Sequence, residues 1–184
     1  MLRRPHPRDA DAVFLGWTSD DVVTRFMSWP RHRSVEDSRA FLEFSDVEWD
    51  RWPAGPYLIE ARSSGVLIGS CGFTFRDRHL AEVGYILNRD AWGHGYATEC
   101  LATQVELAAV LGPITLEASV HPDNHGSARV LEKCSFGHDR TSHVIASFPN
   151  LADNDQVIAA RWVRMLGAPT AAQQAHRAER QKVD

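Results

Sequence analysis

Residues 57–99 constrain the fold more than any other stretch of the chain. Residues 57–61 are short and apolar, and Ser63-Ser64-Gly65 marks a turn. Residues 66–75 are rich in β formers, Arg76-Asp77-Arg78-His79 turns again, and 80–87 reads as a third strand. Connections this short predict an antiparallel meander. Gly84 inside the third strand predicts a bulge or a close backbone approach. The meander runs into Gly93-His94-Gly95 and then a helix over 96–111, with Leu101, Val105 and Ala108 on one side. A strand over 114–120 and a short helix over 127–134 follow, the latter carrying Ala128, Leu131 and Cys134 at helical spacing. Residues 144–148 and 157–163 read as closing strands.

The N-terminal third reads as helical. Asp9 can cap a turn carrying Val13, Phe14 and Trp17, and Ser19-Asp20-Asp21 precedes Val22, Val23 and Phe26 at the same spacing. Ser34 with Asp37 forms a capping-box pattern ahead of Phe41, Leu42 and Val47. Trp52-Pro53-Ala54-Gly55-Pro56 then breaks the helix. The class is α+β.

A length of 184 residues suits one domain, here 1–166. Residues 167–184 lack an apolar face and read as a loosely ordered tail. Lys and Arg number 20 against 24 Asp and Glu, so no basic excess supports general nucleic-acid binding. Cys71, Cys100 and Cys134 are an odd number at wide spacing, which fits a reducing compartment. There is no signal-peptide core and no apolar run near the roughly 18 residues that span a bilayer. The expectation is a cytoplasmic protein with no membrane partner.

Chemistry concentrates in Asn88-Arg89-Asp90-Ala91-Trp92-Gly93-His94-Gly95-Tyr96-Ala97-Thr98-Glu99. Small residues at 93, 95 and 97 admit a close approach to the backbone. The first turn of the following helix leaves amides unpaired at the positive end of its dipole, a natural place for phosphate. Gly-x-Gly alone also fits a tight strand–helix turn. Thr98 is a poor third small residue for a dinucleotide fingerprint, and the Gly-Lys-Ser/Thr of a P-loop is missing.

Trp92-Gly93-His94-Gly95-Tyr96-Ala97 resembles the acetyl-CoA motif of the GNAT N-acetyltransferases, Gln/Arg-x-x-Gly-x-Gly/Ala, with Trp92 at the Gln/Arg position. The wider string through Glu99 resembles the RimJ/RimL-like branch, the ribosomal-protein N-terminal acetyltransferases. Ser34-Val35-Glu36-Asp37-Ser38, Leu67-Ile68-Gly69-Ser70, Glu82-Val83-Gly84-Tyr85, Asn124-His125-Gly126-Ser127 and Arg129-Val130-Leu131-Glu132-Lys133 follow that branch's order. The resemblance covers about residues 7–163. It implies a mixed, mostly antiparallel twisted sheet flanked by helices, splayed between the family's fourth and fifth strands, here 80–87 and 114–120. Acetyl-CoA, a co-substrate, would lie in the splay. Backbone near Ile86 and Leu87 would pair with its pantetheine arm. Trp92, Gly93, His94, Gly95, Tyr96, Ala97 and Thr98 would surround its pyrophosphate, with Arg89, His94 and Lys133 as cations. Asn124 would orient cofactor or water.

The same resemblance implies direct attack of a primary amine on the thioester. Glu82 is the first candidate base, its pKa raised by burial beside Leu80, Val83 and Ile86; pairing with an arginine, or a solvent-facing side chain, is the alternative. His121 is the second candidate, a surface histidine in a Pro-containing turn being the other reading. Many family members protonate the thiolate with a tyrosine at the position of Leu131, so that acid does not carry over. Ser127 takes the role instead, though Asn124 and Ser127 also suit a helix cap. Ser135 stands where glycine is usual, altering the turn. His121, His125, Cys134 and His138 match no zinc pattern, and no metal is expected. Trp29 and Trp52, beside prolines, are candidate acceptor walls. The acceptor is a peptide or protein α-amine by branch. A small amine or an antibiotic, or a catalytically silent acetyl-CoA-binding module, stands as the alternative. Exposed apolar edges could support a homodimer.

Overall fold

The computed structural model describes residues 1–151 and 156–167 of the 184; the expected tail lies outside them apart from Gly167. Seven strands form one sheet: β1 (Leu2–Arg3), β2 (Tyr57–Glu60), β3 (Leu67–Asp77), β4 (Leu80–Leu87), β5 (Ile114–Val120), β6 (Gly137–Ala146) and β7 (Val157–Leu166). Their order is β1-β2-β3-β4-β5-β7-β6. The predicted meander β2–β3–β4 is present, and every pairing is antiparallel except β4 with β5. That parallel contact joins only Leu80 to Thr115, Ala81 to Leu116 and Glu82 to Glu117. Beyond Glu82 the two strands part, which is the expected splay. The bulge predicted at Gly84 lies instead between Phe75 and Asp77, and Gly84 keeps regular register with Gly72.

Alternation along β4 assigns its two faces. Ala81 and Val83 pack with Leu101, Val105 and Ala108 of α3 (Tyr96–Leu111) in the main core, which Leu131 of α4 (His125–Lys133) joins. Ile86 turns the other way and packs, with Leu58, against Val13, Trp17 and Leu42. Those last three come from α1 (Ala10–Val13), the π turn Phe14–Thr18 and α2 (Val35–Arg51). The sheet is therefore covered by the N-terminal helices on one face and by α3 and α4 on the other.

The Ser34–Asp37 capping box forms at the start of α2. The helix expected over Val22, Val23 and Phe26 is reduced to a single capped turn, in which Thr24 N–H donates to Asp20 O at 3.0 Å. Asp20 captures the amides of Val22 and Val23 at 2.8 and 3.0 Å, and the Thr24 hydroxyl donates to the Asp20 carbonyl at 2.6 Å. The two amide bonds are those of a helix N-cap, so Asp20 starts this turn rather than prevents it. β6 also begins earlier than its apolar residues suggest. Its first half, His138-Asp139-Arg140-Thr141-Ser142, is polar because β6 is an edge strand. Among the described residues, no helix is long and apolar enough to cross a membrane. The three cysteines are buried and unbridged.

α4 ends in a Schellman motif: Phe136 N–H donates to Leu131 O and Ser135 N–H to Glu132 O, both at 3.0 Å. The motif places Ser135 at φ +59°, the only non-glycine residue described with positive φ. Ser135→Gly removes that steric cost and is expected to stabilise the fold by about 1 kcal/mol, read as a shift in urea midpoint at constant slope. An unchanged or lowered midpoint contradicts the account of this turn.

Candidate active site

The site is built around the splay. Asn88 N–H donates to Ile68 O at 2.9 Å, which fixes the phase of the β3–β4 ladder. Even-numbered residues of β4 direct their main-chain groups to β3, and odd-numbered residues direct theirs toward β5. Tyr85 and the Leu87 N–H thus face the gap, the Leu87 carbonyl being taken by the Trp92 indole, whereas the groups of Ile86 are used by Ser70. Of Ile86 and Leu87, the residues expected to pair with a cofactor arm, only Leu87 turns backbone toward the gap, beside Tyr85.

The turn after β4 is pre-shaped. Asn88 caps a 3₁₀ turn (Arg89–Ala91) by accepting from Ala91 N–H at 2.9 Å. The Trp92 indole N–H donates to Leu87 O at 2.9 Å, tying turn to strand while 46% of the residue stays exposed. Gly93 and Gly95 adopt φ +77° and +84°, a region that L side chains rarely enter, and open space lies over both. Among the described residues, the amides of Gly93, His94, Gly95, Tyr96, Ala97 and Thr98 find no acceptor. A row of free donors at the positive end of a 16-residue helix fits a pyrophosphate. His94 stands beside that row, its ring stacked on Tyr96 at 5.9 Å. Arg89, expected as a phosphate cation, instead bonds Asp20 at 2.6 Å and Asp21 at 3.3 Å.

Across the gap, Asn124 caps α4 by accepting from Ser127 N–H at 3.1 Å. Ser127 Oγ lies 2.8 Å from the Tyr85 hydroxyl. Burial pushes the Tyr85 phenol up to about 12, against the lowering effect of its bond to Ser127. Tyr85 is therefore a neutral donor at any working pH. Residue reading missed it as a chemical group, although Glu82-Val83-Gly84-Tyr85 belongs to the motif set, because its partner is 42 residues away.

Glu82 sits at the mouth of the splay on the opposite face of β4 from Tyr85, with its carboxylate 3.3 Å from Arg76 and 36% of its side chain exposed. On the neighbouring strands Arg161 bridges Glu117 at 2.7 Å and Asp139 at 2.6 Å. Bonds from the Thr141 and Ser142 hydroxyls, with Arg161 adding to them, hold the Asp139 carboxyl well below the usual range. His121 follows β5 and is buried, stacked on Phe26 and edge-on to Phe148, both at 4.9 Å. Its Nδ1 accepts from Asp123 N–H at 3.1 Å, so the neutral ring carries its proton on Nε2. Among the described residues, no hydrogen bond joins any two of Glu82, His121 and Ser127. Trp29 packs with the N-terminal cluster, while Trp52 stacks on Phe75 in the main core at 5.2 Å, at the closed end of the β4–β5 pairing. The two candidate acceptor walls thus fall in separate clusters. No group of three metal-ligating side chains converges among the described residues.

The acetyltransferase (GNAT) domain family matches residues 1–137, from β1 to the start of β6. The chain belongs to the GNAT acetyltransferase family. Membership makes it an N-acetyltransferase that draws on acetyl-CoA. Over 138 residues it is 30% identical to the uncharacterized N-acetyltransferase p20 of Bacillus licheniformis, covering 73% of this chain and 77% of that one. Its fold is shared with RimL, a ribosomal alpha-N-protein acetyltransferase solved with coenzyme A (TM-score 0.75, 19% identity, 90% of this chain and 93% of that one). It is shared as well with the spermidine N-acetyltransferase of Vibrio cholerae (TM-score 0.73, 14% identity, 90% and 94%).

The His121 arrangement has a direct spectroscopic consequence. Wherever the ring is neutral, a long-range ¹⁵N–¹H spectrum is expected to show Nε2 protonated and Nδ1 bare. A ring protonated at Nδ1 alone contradicts the geometry.

Proposed function

We propose that this enzyme acetylates the N-terminal α-amine of a protein or peptide by direct attack of the amine on acetyl-CoA. The observation that carries the reading is that both candidate bases are engaged: Glu82 faces Arg76, and His121 Nδ1 holds the Asp123 amide. Such a site favours an acceptor that needs little help losing a proton. With a pKa of 7.7–8.0, roughly a third of an α-amine is neutral at pH 7.5, against about one in a thousand for a lysine-like amine near 10.4.

The free amides from Gly93 to Thr98 would hold the pyrophosphate, and Tyr85 and Leu87 would pair with the pantetheine arm. In the transfer, the N–C bond forms and the C–S bond breaks, and the surplus proton of the amine ends on sulfur. Where Tyr85, neutral at its raised pKa, donates to Ser127 Oγ, one of the two directions their 2.8 Å contact allows, the Ser127 hydroxyl is left free to donate to the departing sulfur. With its pKa raised by burial, Tyr85 keeps its proton, and the pair serves the sulfur as a hydrogen-bond donor.

Spermidine is the second reading, favoured by the fold shared with a spermidine enzyme. Thiol release from acetyl-CoA separates the readings across free-N-terminus peptides, N-blocked lysine peptides and spermidine. Free α-amines are expected to lead in kcat/KM by about tenfold or more. Preference for spermidine or lysine contradicts the proposal, and tight acetyl-CoA binding with no turnover on any acceptor assigns a silent binding module. Ser127→Ala is expected to lower kcat about 10- to 100-fold while the KM for acetyl-CoA stays within about twofold. An unchanged kcat removes Ser127 from the mechanism.

A further inference from the structure

Asn150, between β6 and β7, makes three hydrogen bonds to a segment more than a hundred residues away. Its Nδ2 donates to Thr24 O at 2.8 Å and to Trp29 O at 2.9 Å, and its Oδ1 accepts from Arg31 N–H at 2.7 Å. Both amide protons and one oxygen lone pair are satisfied by backbone groups of one loop. A cavity of about 280 Å³ lies between the two loops, lined by Thr24, Arg31, Pro149 and Asn150 among others, and the bonds of Asn150 bridge it.

The same two loops supply both aromatic rings that sandwich His121: Phe26 from the first and Phe148 from the second. The first loop also carries Trp29, the candidate acceptor wall. Its other end is tied to the glycine turn after β4 by the Arg89–Asp20 pair. Asn150 is thus placed to set Trp29, Phe26 and through them the His121 ring, without touching the amides that would take the pyrophosphate.

We infer that Asn150 is the positioning residue for the acceptor side of the site, fixing the 24–31 loop in the shape that receives the amine. This inference rests on the acetyltransferase reading above for the identity of the ligand. Asparagine is chemically required by the pattern. Aspartate would set a second oxygen against the carbonyls of Thr24 and Trp29, and only its protonated form could donate to either.

The test uses full-length protein with Asn150→Ala and Asn150→Asp, acetyl-CoA, and the free-N-terminus peptide of highest turnover. Loss of two or more bonds is expected to raise the peptide KM about tenfold or more in both variants. The kcat and the Kd for CoA are expected to stay within about twofold. The ratio of Asn150→Asp to wild-type KM is expected to shrink as pH falls and the new carboxyl gains a proton, whereas the ratio for Asn150→Ala stays flat. An unchanged KM, a KM that rises only together with the CoA Kd, or equal pH-independent ratios for both variants overturns the inference. If no acceptor is turned over, the proposed function fails on its own, and amide exchange decides the clamp. Exchange at Met27, Arg31 and His32 faster in Asn150→Ala, with CoA affinity unchanged, sustains it; unchanged exchange overturns it.

Discussion

Everything at the site depends on where β4 and β5 stop pairing. Three register pairs hold the strands side by side, and after Glu82 and Glu117 each goes its own way. A sheet that stayed zipped would spend the main-chain groups of Tyr85 and the Leu87 N–H on β5 and leave no room for a ligand. Opened, it presents those groups as a strand edge inside the protein, covered on one face by α3 and α4 and on the other by the N-terminal elements. Tyr85 then reaches across to Ser127, so a single residue lines the gap with its backbone and its side chain.

The segment from Ser19 to Ser34 links the two halves of the site. Arg89 ties it through Asp20 to the glycine turn after β4, and Asn150 ties it to the loop after β6. Asp20 does two jobs, since it also caps the turn that opens the segment by accepting from the Val22 and Val23 amides.

Patterns with short-range causes were readable in the sequence. The meander, α2 with its capping box, and the glycine turn before α3 all follow from neighbouring residues. The splay was legible only through resemblance, because nothing in the alternation of 80–87 says where pairing ends. Glu82 shows the limit for chemistry: its neighbours suggested burial, but Arg76, six residues back across a turn, meets it at the surface. Asn150 left no local trace at all, since its three partners lie 119 to 126 residues away. Tyr85 was visible as part of a motif, but its role needed α4 folded against it. The polar first half of β6 hid from a search for apolar alternation because an edge strand does not need it.

In the proposed transfer the acceptor, and no base of the enzyme, sets the proton balance of the reaction. The most direct measurement is the pH profile of kcat/KM for two peptides of matched sequence whose N-terminal amines differ in pKa by about one unit. The account predicts that the rising limb moves with the amine by the same interval. A limb fixed at one pH for both peptides, and displaced by Glu82→Gln or by His121→Asn, would contradict it and assign the proton to the enzyme.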